Sequence, residues 1–294
     1  MRPISSPQPV LMEVQRWLLR HVVSACEVHP SSYAYQEGRS IVTCAKRHVG
    51  ARWLIKLDIH DFFESIGEKR VYRLFQGLGY PRLISLEMAR LCTRVTDTEG
   101  RLDRVFYRYP GKAPYAVERQ GVLPQGAPTS GMLANAVMAG LDGIFDSYAR
   151  SKALTYTRYS DDLTFSAGPE FERRDAGAII QDVGRALAQE GFRLHRRKIR
   201  VIPPGARHVI LGLLVDDAGV RLLPEYKRRL EVHVRGVSKF GLAQHAEYRR
   251  FNSVLSMINH VDGSIAFAES VEPAFAANMR GRWNEALSSR GFPA

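Results

Sequence analysis

Cysteine is scarce in this chain, with three in 294 residues. Cys26, Cys44 and Cys92 are odd in number and widely spaced, and no C-x-x-C occurs. That argues against a disulfide framework and a cysteine zinc site, so a reducing cytoplasm is the expected compartment. Long apolar runs are missing too. No uncharged run of apolar residues approaches the roughly 20 that a membrane span requires, so no membrane partner is expected. Glu13, Arg16 and Arg20 interrupt the first apolar residues, which leaves no signal-peptide pattern. Internal repeats and low-complexity tracts are absent. Acidic residues are outnumbered: 30 Asp+Glu face 42 Lys+Arg, a formal charge of +12. The resulting pI near 9.8 points to a polyanionic partner, nucleic acid before membrane. A merely soluble basic protein would carry the same charge. The 45% hydrophobic content suffices for one large core or two to three subdomains.

Periodicity supplies a coarse outline. Val14, Trp17, Leu18 and Val22 recur at helical spacing within Val10–Ala25. Pro30–Gly50 reads as a basic loop, and Arg52–Ile59 as a strand ending at an acid. Asp61–Gly79 reads as a helix, and Arg101–Gln120 as irregular. Gln125–Ser130 is a turn-rich loop. It feeds a helix with Leu133, Val137, Leu141, Ile144, Phe145 and Tyr148 on one face. Ala176, Ile179, Ile180, Val183 and Leu187 mark a later helix, which Gly191 would stop. Val209–Val215 is read as a strand. Beyond it three helices are expected, over Pro224–Val237, Ala246–Val261 and Pro273–Leu287, with breaks at Gly236, Gly241 and Gly263. The domain junction is expected near Asp216–Gly219.

The chemistry concentrates at Tyr159-Ser160-Asp161-Asp162. The flanking runs are rich in Thr, Tyr and Phe, so the acids sit at the tip of a β-hairpin. Adjacent carboxylates repel, and a fold that clusters them usually binds a cation there. A solvated turn is the plainer reading, since Asp favours turns. Asp58 lies 103 residues before Asp161, at the end of an apolar strand. Alone it reads first as a helix cap. Adjacent strands of one sheet would unite the three acids, enough to hold two Mg²⁺ ions for phosphoryl transfer.

LDIHDFFESI, LPQGAPTSGMLAN and YTRYSDDLTFS occur in that order. Together they resemble the three central palm motifs of reverse transcriptases, most closely the bacterial retron type, over roughly Tyr33 to Tyr226. The resemblance implies an α+β right-hand polymerase with fingers, a ferredoxin-like palm and a small helical thumb. Its expected bounds are 1–53 for the N-terminal helix and fingers, 54–66 and 120–215 for the palm, 67–119 for a fingers insertion and 216–294 for the thumb. It implies Asp58, Asp161 and Asp162 as catalytic metal ligands, with the Ile59 carbonyl as a further ligand. Phe63 matches a steric gate against a 2′-hydroxyl, although a Phe is most often simply core. Gln125 and Gly126 match a loop that contacts template and nucleotide. Arg39 matches a triphosphate contact, and Lys198 a lysine that assists the pyrophosphate. Asn135 belongs to the same stretch.

Charge adds to this. Arg193–Arg200 holds five cations and no acid, so Arg196 and Arg197 read as part of a phosphate track. Pro224–Arg250 carries seven basic against three acidic residues, including Lys227, Arg228 and Arg229. Its opposite stripe is Tyr226, Leu230, Val234 and Val237. That pattern fits a thumb gripping a nucleic-acid backbone by charge. Three positions depart from the retron pattern: Cys44 stands for the usual Asn, Leu211 for Thr, and Gly131 for Pro. No segment after the thumb is expected to supply RNase H, endonuclease or integrase activity.

The implied reaction is RNA-directed DNA synthesis from dNTPs on a structured noncoding RNA. The retron resemblance further implies priming from an RNA 2′-hydroxyl, an RNA-linked DNA product, and anti-phage defence with an effector protein. The alternatives are another compact bacterial reverse transcriptase (intron-like, diversity-generating or template-independent) and a non-catalytic RNA-binding protein on a polymerase scaffold.

Overall fold

The computed structural model describes residues 5–95 and 121–289. The segment expected to be irregular, Arg101–Gln120, lies outside the described residues, as does the later part of the expected fingers insertion. The chain divides into two compact units. The first comprises Met1–Arg47 and Ala51–Ala206, and the second His48–Gly50 and Arg207–Ala294.

The first unit is built on a four-stranded antiparallel sheet of order β2-β3-β1-β4. Its strands are β1 (Trp53–Asp58), β2 (Leu154–Tyr159), β3 (Asp162–Ala167) and β4 (Arg200–Ile202). Helix α5 (Ser130–Ser151) connects β1 side to β2, and α6 (Arg173–Gln189) connects β3 to β4. The resulting β-α-β-β-α-β order is the ferredoxin-like arrangement expected for the palm. Ile55, Leu57, Leu163 and Phe165 from the strands join Leu133, Met138 and Phe145 of α5 and Ile179, Val183 and Leu187 of α6 in one core. Gly191 follows α6 with φ 76°, a left-handed residue suited to ending a helix.

Around this sheet lie α1 (Pro9–His21), α2 (Ile41–Lys46), α3 (Glu68–Gly77) and α4 (Arg82–Cys92). Four expectations change here. In α1 the buried side is Gln15 and Leu18, while Trp17 is 53% exposed; Gln15 donates to the Leu91 carbonyl at 2.7 Å. The supposed loop 30–50 contains α2, started by Ser40 and Thr43 in reciprocal capping bonds. The helix expected over 61–79 is split, with a 3₁₀ turn at Phe63–Ser65 before α3. On α5, Ile144 points outward at 56% exposure and Ala149 is buried instead.

The second unit begins earlier than the junction expected near 216–219. Val209–Val215 is not one strand. Leu211 and Gly212 both have positive φ, 49° and 82°, and form a two-residue hairpin turn. β5 (Val209–Ile210), β6 (Leu213–Asp216) and β7 (Gly219–Leu222) make a separate antiparallel meander. It belongs with the helices that follow because the Leu222 N–H donates to Glu272 there.

Those helices are α7 (Pro224–Phe240), α8 (Leu242–Tyr248), α9 (Val254–Val271) and α10 (Pro273–Ser288). Leu230, Val234, Val237, Met257, Val261 and Trp283 are buried in this unit. Of the three expected glycine breaks only Gly241, at φ 86°, separates helices. Gly236 and Gly263 lie inside α7 and α9. At Gly236 a Cβ would fall within 3.0 Å of the His245 ring, so close packing rather than chain reversal selects glycine.

Candidate active site

β1 and β3 run antiparallel with Asp58 directly opposite Asp162. Cross-strand partners point to the same face, so two carboxylates 104 residues apart in sequence become neighbours. Asp161 occupies the β2–β3 turn beside them. The Ile59 N–H donates to the Asp161 carbonyl at 3.0 Å, which pins that turn to the end of β1. Ile59 itself is fully buried. The three acids line a cavity of about 340 Å³ together with Lys56, Lys198 and Arg200.

Lys198 donates to Oδ2 of Asp58 at 2.7 Å. Oδ1 of Asp58 is buried and has no hydrogen-bond partner within the protein. An orphaned carboxylate oxygen in a cavity shared with two further acids is a suitable donor for a hard divalent cation. Among the described residues, however, no three acidic, histidine or cysteine side chains converge on one metal-sized point. Asp58 is turned toward Lys198 instead. Burial holds the Asp162 carboxyl above its ordinary pKa; Asp161 adds to this and Lys56 opposes it. This is the signature of carboxylates crowded into one site.

The turn that carries Asp161 is held from below. Ser160 adopts φ 58°, unusual for a residue with a side chain. Its carbonyl accepts from Nη1 of Arg158 at 3.0 Å. Arg158 is wholly buried and uses all five of its N–H donors. Nε and Nη2 bind Asp142 at 2.8 and 2.6 Å, Nη1 also reaches Asn135, and Nη2 also reaches Ser32. Burial acts to lower the Arg158 pKa, but Asp142 outweighs it and the net shift is upward. Tyr156 completes the group, donating to Asp142 at 2.8 Å. Asn135 and Asp142 are seven residues apart on α5, hence on one face.

The remaining sequence candidates are dispersed. Phe63 is half-buried, with its ring 6.3 Å from Tyr35 and 5.4 Å from Phe62. Gln125 and Gly126 are exposed, and Gly126 has φ 113°. Ser130 is not the α5 cap; its hydroxyl donates back to the Pro124 carbonyl at 2.8 Å and ties the loop. Arg39 does not line the carboxylate cavity. Its guanidinium donates to the Pro30 carbonyl at 2.7 Å and lies 4.6 Å over the Tyr33 ring. Arg196 and Arg197 are exposed in a 3₁₀ turn leading to Lys198. In the second unit, Arg228 and Arg229 are exposed on α7. Lys227 is engaged otherwise: it pairs with Glu272 and lies 5.0 Å over Phe275.

Lys56, a candidate triphosphate contact by sequence although a strand lysine usually faces solvent, lines the cavity, and so does Arg200, the last cation of the basic run. Arg158 and Asp142 gave no signal beyond a charged residue inside an apolar pattern. Cys44 is buried and donates to Thr157 Oγ1 at 3.4 Å, and burial pushes its thiol up to about 11. It is therefore a packing residue, not a nucleophile.

Residues 1–223 match the family described as reverse transcriptase (RNA-dependent DNA polymerase). Retron Mx162 reverse transcriptase of Myxococcus xanthus is 36% identical over 225 residues, covering 74% of this chain and 45% of that protein. Retron Mx65 reverse transcriptase of the same organism is 32% identical over 281 residues, covering 96% and 61% respectively. Retron Ec86 reverse transcriptase of Escherichia coli is 28% identical over 272 residues, covering 92% and 72%. The chain thus spans about half to three quarters of the length of these relatives. The retron-type resemblance drawn from the three motifs is borne out.

Proposed function

The chain belongs to the reverse transcriptase (RNA-dependent DNA polymerase) family, and we propose that it copies a structured noncoding RNA into DNA at the Asp58, Asp161 and Asp162 cavity. The observation that carries this reading is the register of β1 and β3, which places Asp58 opposite Asp162 with Asp161 in the adjoining turn.

Asp58, Asp161 and Asp162 would hold two Mg²⁺ ions, with the Ile59 carbonyl as a further ligand. Such ions lower the pKa of an attacking hydroxyl and neutralise a leaving pyrophosphate. The chain's own residues do the rest. Lys198, once released from Asp58, carries its ammonium and proton to the pyrophosphate. Lys56 and Arg200 add positive charge on the same side for the triphosphate of a dNTP. Phe63 closes the floor beneath the sugar and excludes a 2′-hydroxyl. Gln125 and Gly126 let template and nucleotide approach closely. Arg39 joins the nucleotide contacts on leaving the Pro30 carbonyl. Arg196, Arg197, Arg228 and Arg229 bind backbone phosphates.

We further propose, on the retron resemblance, an RNA-linked single-stranded DNA product, primed from an RNA 2′-hydroxyl, that serves anti-phage defence with an effector protein in the cytoplasm. Among the described residues no helix is long and apolar enough to cross a membrane. The test is primer extension with dNTPs and Mg²⁺, comparing wild type with Asp161→Asn. Loss of DNA synthesis is expected, and equal yield would sink the assignment. Sequencing the nucleic acid that copurifies with the protein decides the subtype. A short, specific RNA–DNA hybrid is expected, whereas DNA with no RNA template would indicate a template-independent polymerase.

A further inference from the structure

Tyr35 stands out among the residues around the cavity. It is 51% exposed, yet its backbone is held at φ 58°, which a bulky side chain rarely adopts. The neighbouring chain enforces that conformation. Asn135 donates to the Ala34 carbonyl at 2.7 Å, and the Tyr33 N–H donates to the Arg158 carbonyl at 2.8 Å. Strain of this kind persists where surrounding contacts over-determine it, often at working sites.

The enforced conformation sends the ring to one place. A Cβ built on Gly131 would lie closer than 3.0 Å to three atoms of the Tyr35 ring. Gly131 is the position where the retron pattern has proline, so the missing side chain is filled by Tyr35. The same ring meets Phe63 edge-on, with centroids 6.3 Å apart at 65°. Its hydroxyl is 3.2 Å from Ser160 Oγ, on the turn that carries Asp161.

We propose that Tyr35, seated on Gly131, is a positioning residue that braces Phe63 and fixes the distance between the sugar gate and the Ser160–Asp161 turn. This rests on the reading of Phe63 as the gate. Tyr35 itself is not a catalytic residue. Its effect passes through Phe63, so it bears on which sugar is accepted more than on whether DNA is made.

The test is steady-state extension of a DNA primer on an RNA template, comparing kcat/KM for dNTP and rNTP. Tyr35→Ala should lower the dNTP preference by up to about 10²-fold, the scale of a misplacement of about 1 Å at the reacting groups. Tyr35→Phe keeps the ring on Gly131 and Phe63 but loses the Ser160 contact, so its preference should fall between those of wild type and Tyr35→Ala. Gly131→Ala pushes the ring away and should reproduce Tyr35→Ala. The double variant Gly131→Ala/Tyr35→Ala should be no worse than Tyr35→Ala alone, because the steric conflict is gone. Phe63→Ala is the control. If it loosens discrimination while Tyr35→Ala and Gly131→Ala do not, the brace is overturned and the gate stands. If Phe63→Ala changes nothing, gate and brace both fall. Should Tyr35→Ala fail to fold, Gly131→Ala against Tyr35→Phe carries the test.

Discussion

Lys198 binds one oxygen of Asp58 at 2.7 Å, while the other oxygen of the same carboxylate is buried without a partner in the protein. The ammonium thus competes for the carboxylate that a cation would use. Lys198→Met should therefore act in two directions. The extension rate should fall on the order of 10²-fold, the scale of a lost proton donor. Half-saturation by Mg²⁺ should move to lower concentration, because Asp58 is freed. The fold should survive, since the Lys198 side chain is 49% exposed. Single-turnover extension across a Mg²⁺ titration reads both effects. An unchanged rate and midpoint would remove Lys198 from the site.

Arg158 and Asp142 form an ion pair with both side chains at 0% exposure. Removing one partner leaves an uncompensated buried charge, which costs about 3–5 kcal/mol. Asp142→Asn and Arg158→Leu should each lower the urea midpoint by a matching amount. Arg158→Lys should not rescue, because one ammonium cannot reach Asp142, Asn135, Ser32 and the Ser160 carbonyl together. A midpoint within experimental error of wild type in any of the three would contradict the network.

Lys227 and Arg228 are neighbours with different expected roles. Lys227 pairs with Glu272, whereas Arg228 is exposed. Arg228→Gln should weaken RNA binding and reduce the slope of log affinity against log salt by about 0.7–0.9. Lys227→Gln should change thermal stability more than that slope. Binding isotherms at several salt concentrations, with melting curves beside them, separate the two. The reverse pattern would exchange their roles.

His233 and His245 are buried and share a hydrogen bond of 3.2 Å between ring nitrogens. One ring must offer its N–H and the other its lone pair, so the two cannot both be protonated. Burial, followed by the nearby Arg249 and His245, depresses the His233 pKa to about 4; His260 and Arg229 also face it. The unfolded chain would protonate His233 near 6.5. Protons therefore favour the unfolded state, and stability should fall as pH drops from about 6.5 toward 4. His233→Phe should flatten this part of the profile, measured as melting temperature against pH. An equal slope in wild type and variant would rule His233 out as the source.

The motifs were legible because their residue types carry the chemistry directly. Asp58, Asp161 and Asp162 announce a charged site wherever they are placed, and a strand pattern on either side of them limits where that is. Trp53–Asp58 and Leu154–Ala167 fold as their composition predicts. Misreadings clustered where a local signal has two meanings. Gly236 looked like a helix break, but it makes room for His245. Val209–Val215 looked like one strand, because a Leu at positive φ is not expected beside Gly212. Trp17 and Ile144 looked like core by spacing, yet a helix face is chosen by what packs against it.

By itself, the sequence determined the acids, their order in the chain and the strands that flank them, all properties of residue type and periodicity, while the ferredoxin-like palm came from the resemblance of its motifs. Tertiary structure alone decided the rest. Strand register set Asp58 against Asp162, and the Lys198 contact depends on a turn 140 residues away from that acid. The buried hold of Arg158 on the Ser160 turn, and the seat of Tyr35 on Gly131, join segments that share no local pattern. Such contacts are fixed by which surfaces exclude water together, and that is a property of the folded whole.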